Sequence, residues 1–215
     1  VVVCTRRDLN LPVWTKARVR PRFILGAADL DRFGEGWGKK EHDGFRVGLA
    51  GTLDFAKLHP RFVEMSAAAK IPQARFVVCG SGRDADAIRS AAERLAPGRF
   101  EFRGQVSNVA EVLAELDAYG YPLNCPSFAA AEQNIQEAMA AGVPPVVLPV
   151  GGLPSLIDHE VNGLIVEREQ DYPRALERLQ RNPGLLKQLG ENARKKALRE
   201  FSSEISAVKF RGLYE

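Results

Sequence analysis

The chain has 215 residues, 45% hydrophobic and 27% charged, with a formal charge of +3, a composition ordinary for one globular domain, or one with an appendage, and ample for a core. No window reaches the roughly 18–20 unbroken apolar residues of a membrane span, no signal-peptide pattern is visible, and no motif supports nucleic-acid binding. Three widely spaced cysteines (Cys4, Cys79, Cys125) without a CxxC pair speak against a disulfide framework or a zinc site, so a reducing, cytoplasmic setting is expected.

In chain order, "VVVCT" reads as a strand that opens on Val1, and a fragment of a longer polypeptide is the expectation attached to it. Between Arg6 and Arg22 lie Arg6, Arg7, Lys16, Arg18, Arg20 and Arg22, with Asp8 the one acid and Trp14 among them. Such a stretch is a solvated linker or, alternatively, a surface for anionic lipid, and peripheral membrane contact through 6–22 is the expectation attached to it. "RFILGAADLDRF" (22–33) reads as a strand leaving into a turn, so residues 1–45 are expected to be interdomain chain or a remnant of a neighbouring domain.

From Phe45 onward strands and helices alternate. Short apolar runs predict strands over 46–51, 75–80, 99–104, 119–124, 145–150 and 162–167. Helical spacing predicts helices over 59–70, 84–96 and 108–118, another opening near Ala131 or Glu132, and a helical remainder from about Asp171. That rhythm predicts an α/β domain over 46–215: a Rossmann-like, doubly wound parallel sheet of about six strands, with helices on both faces and a helical C-terminus.

In such a sheet, ligands bind beyond the carboxyl ends of the strands. Four of these ends stand out. In "AGTLDFAKLHP", Gly51 and Thr52 close a strand and Lys57 follows before a helix; amides beside a lysine suit a phosphate, although a solvated surface lysine fits as well. In "VCGSGRDA", Gly80, Ser81, Gly82 and Ala85 satisfy the dinucleotide pattern G-x-G-x-x-A, with Glu101 at about the expected distance, but a tight turn needing glycine fits equally. "RGQVSN" offers Ser107 and Asn108 as alternative helix caps.

The fourth end, "NCPSFAAAEQNIQEAMAAGVPP", is the most informative. A helix starting near Glu132 presents free amides to an anion, and Glu132 and Glu137 fall about 140° apart around its axis. They are therefore not an adjacent carboxylate pair, whereas Asn134 and Glu137 share a face. Glu132 also suits the helix dipole, and Glu137 is hard to place as a solvated acid among alanines and Met139. His42, His59 and His159 assemble into no Ser-His-Asp or Cys-His group, and metal-ligand spacing is absent.

Several co-ordered motifs carry a resemblance. "EAMAAGVPPVVLPVGGLPSLIDHEVNGLIV" resembles the most recognisable stretch of the family-four retaining glycosyltransferases of GT-B architecture. "ILGAADLDRF", "VGLAGTLDFAKLHPRFV", "RFVVCGSG", "FEFRGQV" and "LDAYGYPLNCPS" are similar, in the same order, to further motifs of that family, over roughly residues 22–207. The resemblance implies the nucleotide-sugar-binding half of a transferase whose acceptor is held by a missing N-terminal domain, with a UDP- or GDP-type donor as substrate and no cofactor or metal. Carried over by position, it implies that Glu137 meets the donor ribose and Lys57 the diphosphate. Gly51 and Thr52 would bring backbone close to that diphosphate, and the amides around Glu132, Gln133 and Asn134 would receive its distal phosphate. Gln105, Val106 and Ser107 would lie near the base, and the Gly80–Gly82 turn would border the donor. The family's first paired glutamate falls at Ala129, so Glu132 is the candidate acid near the transferred sugar; its usual arginine falls at Thr52. The rival readings are an NAD(P)-binding dehydrogenase domain, resting on G-x-G-x-x-A, and a scaffolding domain that kept the fold and lost the chemistry.

Overall fold

Residues 2–3, 12–16, 20–24, 27–34, 36–125 and 132–213 are described in a computed structural model of the chain. Six strands form one all-parallel sheet: β3 (Phe45–Ala50), β4 (Ala74–Cys79), β5 (Phe100–Gly104), β6 (Ala118–Tyr121), β7 (Pro145–Val147) and β8 (Leu164–Ile165). A separate two-stranded parallel pair, β1 (Val2–Val3) and β2 (Arg22–Phe23), precedes them. The helices are α1 (Pro12–Lys16), α2 (Phe62–Ala67), α3 (Ala85–Leu95), α4 (Val109–Leu113), α5 (Gln133–Ala140), α6 (Leu153–Leu156), α7 (Tyr172–Arg181), α8 (Pro183–Glu200) and α9 (Ser203–Arg211). The expected Rossmann-like sheet with a helical C-terminus is thus the observed one.

The apolar runs become strands covered on both faces. Phe76, Val77, Val78 and Cys79 of β4 are all buried, as a central strand between two helix layers requires. β5 lies at the sheet edge and carries two charges: Glu101 pairs with Arg103 Nε at 2.7 Å, and Arg103 also reaches Glu115 at 2.8 Å. Charged side chains on an edge discourage pairing with another chain. On the helices, α7 buries Tyr172, Ala175, Leu176 and Leu179, while Arg174, Arg178 and Arg181 stay exposed. Side-chain caps start α4 (Asn108), α8 (Asn182) and α9 (Ser202), so Asn108 and not Ser107 is the cap of α4. The segment 27–33 packs Ala28, Leu30 and Phe33 into the main core, and the Ala28 amide donates to the Phe201 carbonyl.

Several elements are shorter than the sequence pattern predicts. β7 ends at Val147 because Leu148–Val150 form a turn closed by the Val150 amide on the Leu148 carbonyl. α2 covers only Phe62–Ala67 of the expected 59–70, since His59–Arg61 belong to a loop bonded to the neighbouring strand end.

The sheet order is β5-β4-β3-β6-β7-β8. The chain therefore winds outward from β3 in one direction and then reverses at β6, which makes the β3/β6 boundary the topological switch point. β3 pairs with β4 along its whole length, from Phe45↔Ala74 to Ala50↔Cys79. With β6 it pairs only at Val47↔Ala118 and Gly48↔Tyr119, and beyond Gly48 the two strands part. The Tyr119 hydroxyl fills the opening, accepting from the Ala50 amide at 2.9 Å and donating to the Ala50 carbonyl at 2.8 Å. Burial pushes this phenol up, well beyond its ordinary range, so it stays neutral and serves as donor and acceptor together.

Candidate functional site at the sheet switch point

The loops that leave β3 and β6 are laced together, and this fixes where Lys57 points. The Asp54 carbonyl accepts from the Lys57 and Leu58 amides at 2.9 and 2.8 Å, closing a turn. Leu58 then forms an antiparallel bridge with Leu123. The Asn124 amide donates to the Lys57 carbonyl at 2.7 Å, and the Asn124 side chain donates to the Phe55 carbonyl at 2.7 Å. From this braced loop the Lys57 ammonium reaches Glu132 Oε2 at 2.9 Å.

Glu132 is the N-cap residue of α5 and is 8% exposed. Its carboxylate makes no capping bond. It turns instead into the crevice, where Tyr121 donates a hydrogen bond to the same Oε2 at 2.9 Å. Burial, with Tyr119 and Glu132 alongside, holds the Tyr121 phenol far above its usual range, which keeps that donor protonated. Asn134, in the first turn, donates to the Ala50 carbonyl at 2.9 Å and so ties α5 to the end of β3. Gly51 faces this group: a Cβ there would lie 3.4 Å from Asn134 Nδ2 and 3.6 Å from the Tyr121 hydroxyl.

Gly51, Lys57, Glu132 and Asn134, separated by up to 83 positions in sequence (134 less 51), therefore meet at the switch point. Thr52 is exposed directly beside them. Gln133 and Glu137 belong to a neighbouring wall. Gln133 Nε2 donates to the Ala27 carbonyl at 3.0 Å, and Glu137 Oε1 lies 3.7 Å from Arg32 Nη2. Burial raises the Glu137 carboxyl above its ordinary value, with Arg32 pulling the other way. Gln105 stands two strands away, its amide bonded to the Ser81 hydroxyl at 2.9 Å; Val106 packs against the core and Ser107 is exposed. Ala129 lies outside the described residues, as do Arg6, Arg7, Asp8 and Arg18 of the basic stretch.

Gly80 and Gly82 have a local explanation. A Cβ on Gly80 would stand 1.8 Å from the Gly51 carbonyl oxygen, and one on Gly82 would stand 2.3 Å from the Leu53 oxygen. Gly80 also has φ 126°, a region that favours glycine. The backbones of 51–53 and 79–82 are bonded directly, Gly51 to Cys79 and Leu53 to Ser81, both at 3.0 Å. Together with the engagement of Glu101 by Arg103, this accounts for G-x-G-x-x-A as loop packing.

The histidines are occupied elsewhere. His59 accepts from the Arg61 amide at Nδ1 and faces Glu169 at 3.3 Å; His159 accepts from the Ile165 amide; His42 faces Asp117 at 3.7 Å. Among the described residues no three or more His, Cys, Asp or Glu side chains converge as a metal site would need, and no helix is long and apolar enough to cross a membrane. A cavity of about 470 Å³, lined by Trp37, Lys39, Asp117, Pro144, Leu186 and Arg194 among others, opens at the amino ends of β6 and β7 and shares no residue with the switch-point cluster.

Three residues of this constellation escaped the sequence reading: Tyr119, Tyr121 and Arg32. "YGY" carried a signal, since residues two apart on a strand point to one face. Nothing in the sequence, however, shows that the second tyrosine faces Glu132.

Residues 38–196 match the family model described as glycosyl transferases group 1. The chain belongs to the group 1 glycosyltransferase family. The resemblance to GT-B glycosyltransferases read from the motifs agrees with this membership. The chain is 30% identical over 144 residues to the N-acetyl-alpha-D-glucosaminyl L-malate synthase of Bacillus anthracis, covering 66% of this chain and 37% of that protein. It is 44% identical over 59 residues to a D-inositol 3-phosphate glycosyltransferase of Streptomyces bingchenggensis, covering 26% of this chain and 13% of that one. The crystal structure of Anabaena HepE in complex with UDP superposes with a TM-score of 0.83 at 19% identity, over all of this chain and 63% of that one. The group 1 chain described here is thus shorter than each of these relatives, and the likeness to HepE is one of fold.

Proposed function

We propose that this chain supplies the nucleotide-sugar-binding half of a retaining glycosyltransferase and that an N-terminal domain holds the acceptor. The observation that carries the reading is the convergence of Lys57, Glu132, Asn134 and Gly51 at the switch point, beside the N-terminus of α5. Parallel sheets of this order bind ligands there, and a helix N-terminus with a lysine favours a phosphate. The share of HepE that the chain covers, 63%, fits one half with linker, and HepE binds UDP, which favours a nucleoside diphosphate such as UDP or GDP.

In this reading Lys57 and the first amides of α5, at Gln133 and Asn134, hold the diphosphate, with the Gly51–Thr52 backbone close by. Glu137, held up by burial and facing Arg32, takes the ribose hydroxyls. Gln105, Val106 and Ser107 border the base, about 10 Å from β3 at two strand spacings. Gly80 and Gly82 let the intervening loop pack closely enough to form the floor. Glu132 stands nearest the transferred sugar. The chemistry asked of the chain is positioning and stabilisation of the departing diphosphate as the bond between sugar and phosphate oxygen breaks. No metal or further cofactor has a role in it. A cytoplasmic setting, and membrane contact through 6–22, belong to the same proposal; Lys16, Arg20 and Arg22 are exposed there.

Lys57→Ala tests the reading. Loss of a charged hydrogen bond costs about 1.5–3 kcal/mol, so UDP or GDP affinity measured by calorimetry is expected to fall about 10- to 150-fold. Unchanged affinity would remove Lys57 from the site.

A further inference from the structure

Lys57 already has an anion. Its ammonium lies 2.9 Å from Glu132 Oε2, the distance of a charge-assisted hydrogen bond. A short polar N-cap side chain, Ser, Thr, Asp or Asn, ordinarily accepts from the first free amides of its own helix. Glu132 makes no such bond. The carboxylate is directed at Lys57 and Tyr121 instead, and does not itself occupy the Gln133 and Asn134 amides.

The two partners differ in freedom. The Glu132 carbonyl accepts from the Ile135 and Gln136 amides, fixing its backbone at the helix start, and Tyr121 pins its side-chain oxygen. Lys57 ends a four-carbon stem and is 37% exposed against 8% for Glu132. When the pair parts, the lysine is the member that moves.

Resting on the nucleotide reading above, we infer that Glu132 is the internal counter-ion of Lys57 and that diphosphate binding exchanges one anion for another on the same ammonium. Glu132 then sets a threshold for ligands. An anion must supply more charge than one carboxylate, and engage the first α5 amides as well, before it displaces a partner fixed at 2.9 Å. A diphosphate does both, and a ligand with a single negative charge does not. Glu132 is thus a specificity-determining residue for the anionic end of the ligand, and the pair keeps Lys57 aimed at the crevice until that ligand arrives.

The test is calorimetric titration of the chain with inorganic pyrophosphate and with UDP, on the native sequence, Glu132→Gln, Lys57→Met and the double variant. Glu132→Gln keeps the size of the side chain and an acceptor for Tyr121; Glu132→Ala is the second variant and carries the same sign. Freeing Lys57 is expected to tighten pyrophosphate about three- to tenfold, the scale of a partly exposed ion pair. The gain is expected to vanish in the Lys57→Met background. Pyrophosphate affinity that is equal or weaker without the carboxylate, including no binding by either form, overturns the inference. So does a gain that survives in Lys57→Met, which would be long-range repulsion alone. The expected pyrophosphate pattern without UDP binding would support the counter-ion and overturn the nucleotide reading.

Discussion

Glu137 sits on α5 among Ile135, Ala138, Met139 and Ala140, all fully buried, and burial raises its carboxyl above the ordinary 4.5. A raised acid holds its proton more tightly in the folded chain than in the unfolded one. Between the two values the folded state binds more protons, so stability falls as pH rises from about 4.5 through the folded value. Arg32 opposes this without cancelling it. Glu137→Gln removes the slope: scanning calorimetry from about pH 4.5 to about pH 7 is expected to show the variant gaining on the native chain as pH rises. Equal pH profiles would mean that the carboxyl is as well solvated folded as unfolded. The sequence made Glu137 conspicuous because an acid stood in an alanine-rich helix. It was silent on Arg32, whose approach depends on how the segment 27–33 folds back on the core.

At the scale of elements, the site is made by loops that touch backbone to backbone. Gly80→Ala would drive a methyl to 1.8 Å from the Gly51 carbonyl, at a φ of 126°. Overpacking and backbone strain of this kind cost about 2–4 kcal/mol, to be read from urea denaturation. Gly51→Ala meets only ordinary contacts, 3.4 and 3.6 Å from Asn134 and Tyr121. With φ at 159° it is expected to cost about 1–2 kcal/mol, less than Gly80→Ala, while weakening nucleotide binding, because its methyl enters the crevice. A Gly51→Ala chain that binds UDP normally would show that the diphosphate does not approach there. This contrast decides between the two readings that the sequence left open for the glycine turn. G-x-G-x-x-A signals close approach of a backbone, and the pattern alone does not say whether the approaching group is a cofactor or, as here, the neighbouring loop. Strand and helix identities were legible because burial on both faces leaves continuous apolar runs, and amphipathic helices leave a spaced pattern. Element ends were less so: β3 and β6 part after Gly48, and the Tyr119 hydroxyl that replaces their ladder carries no local signature.

For the whole molecule, the decisive feature is the strand order β5-β4-β3-β6-β7-β8, which puts one reversal at the centre of the sheet. Pairing between strands 71 positions apart, as for Val47 with Ala118, is invisible in local pattern, and the motif order supplied it only through resemblance. Once the order is known, the crevice, the Lys57–Glu132 pair and the N-terminus of α5 fall at one place, and the proposed diphosphate site lies there. On the proposed function, the chain is expected to hold a nucleoside diphosphate on its own. Calorimetric titration with UDP, GDP, ADP and NAD, repeated for the best ligand on Glu137→Gln, measures this most directly. Binding of UDP or GDP that weakens in the variant is the predicted result. Binding of NAD alone, or of a nucleoside diphosphate indifferent to Glu137, would contradict it.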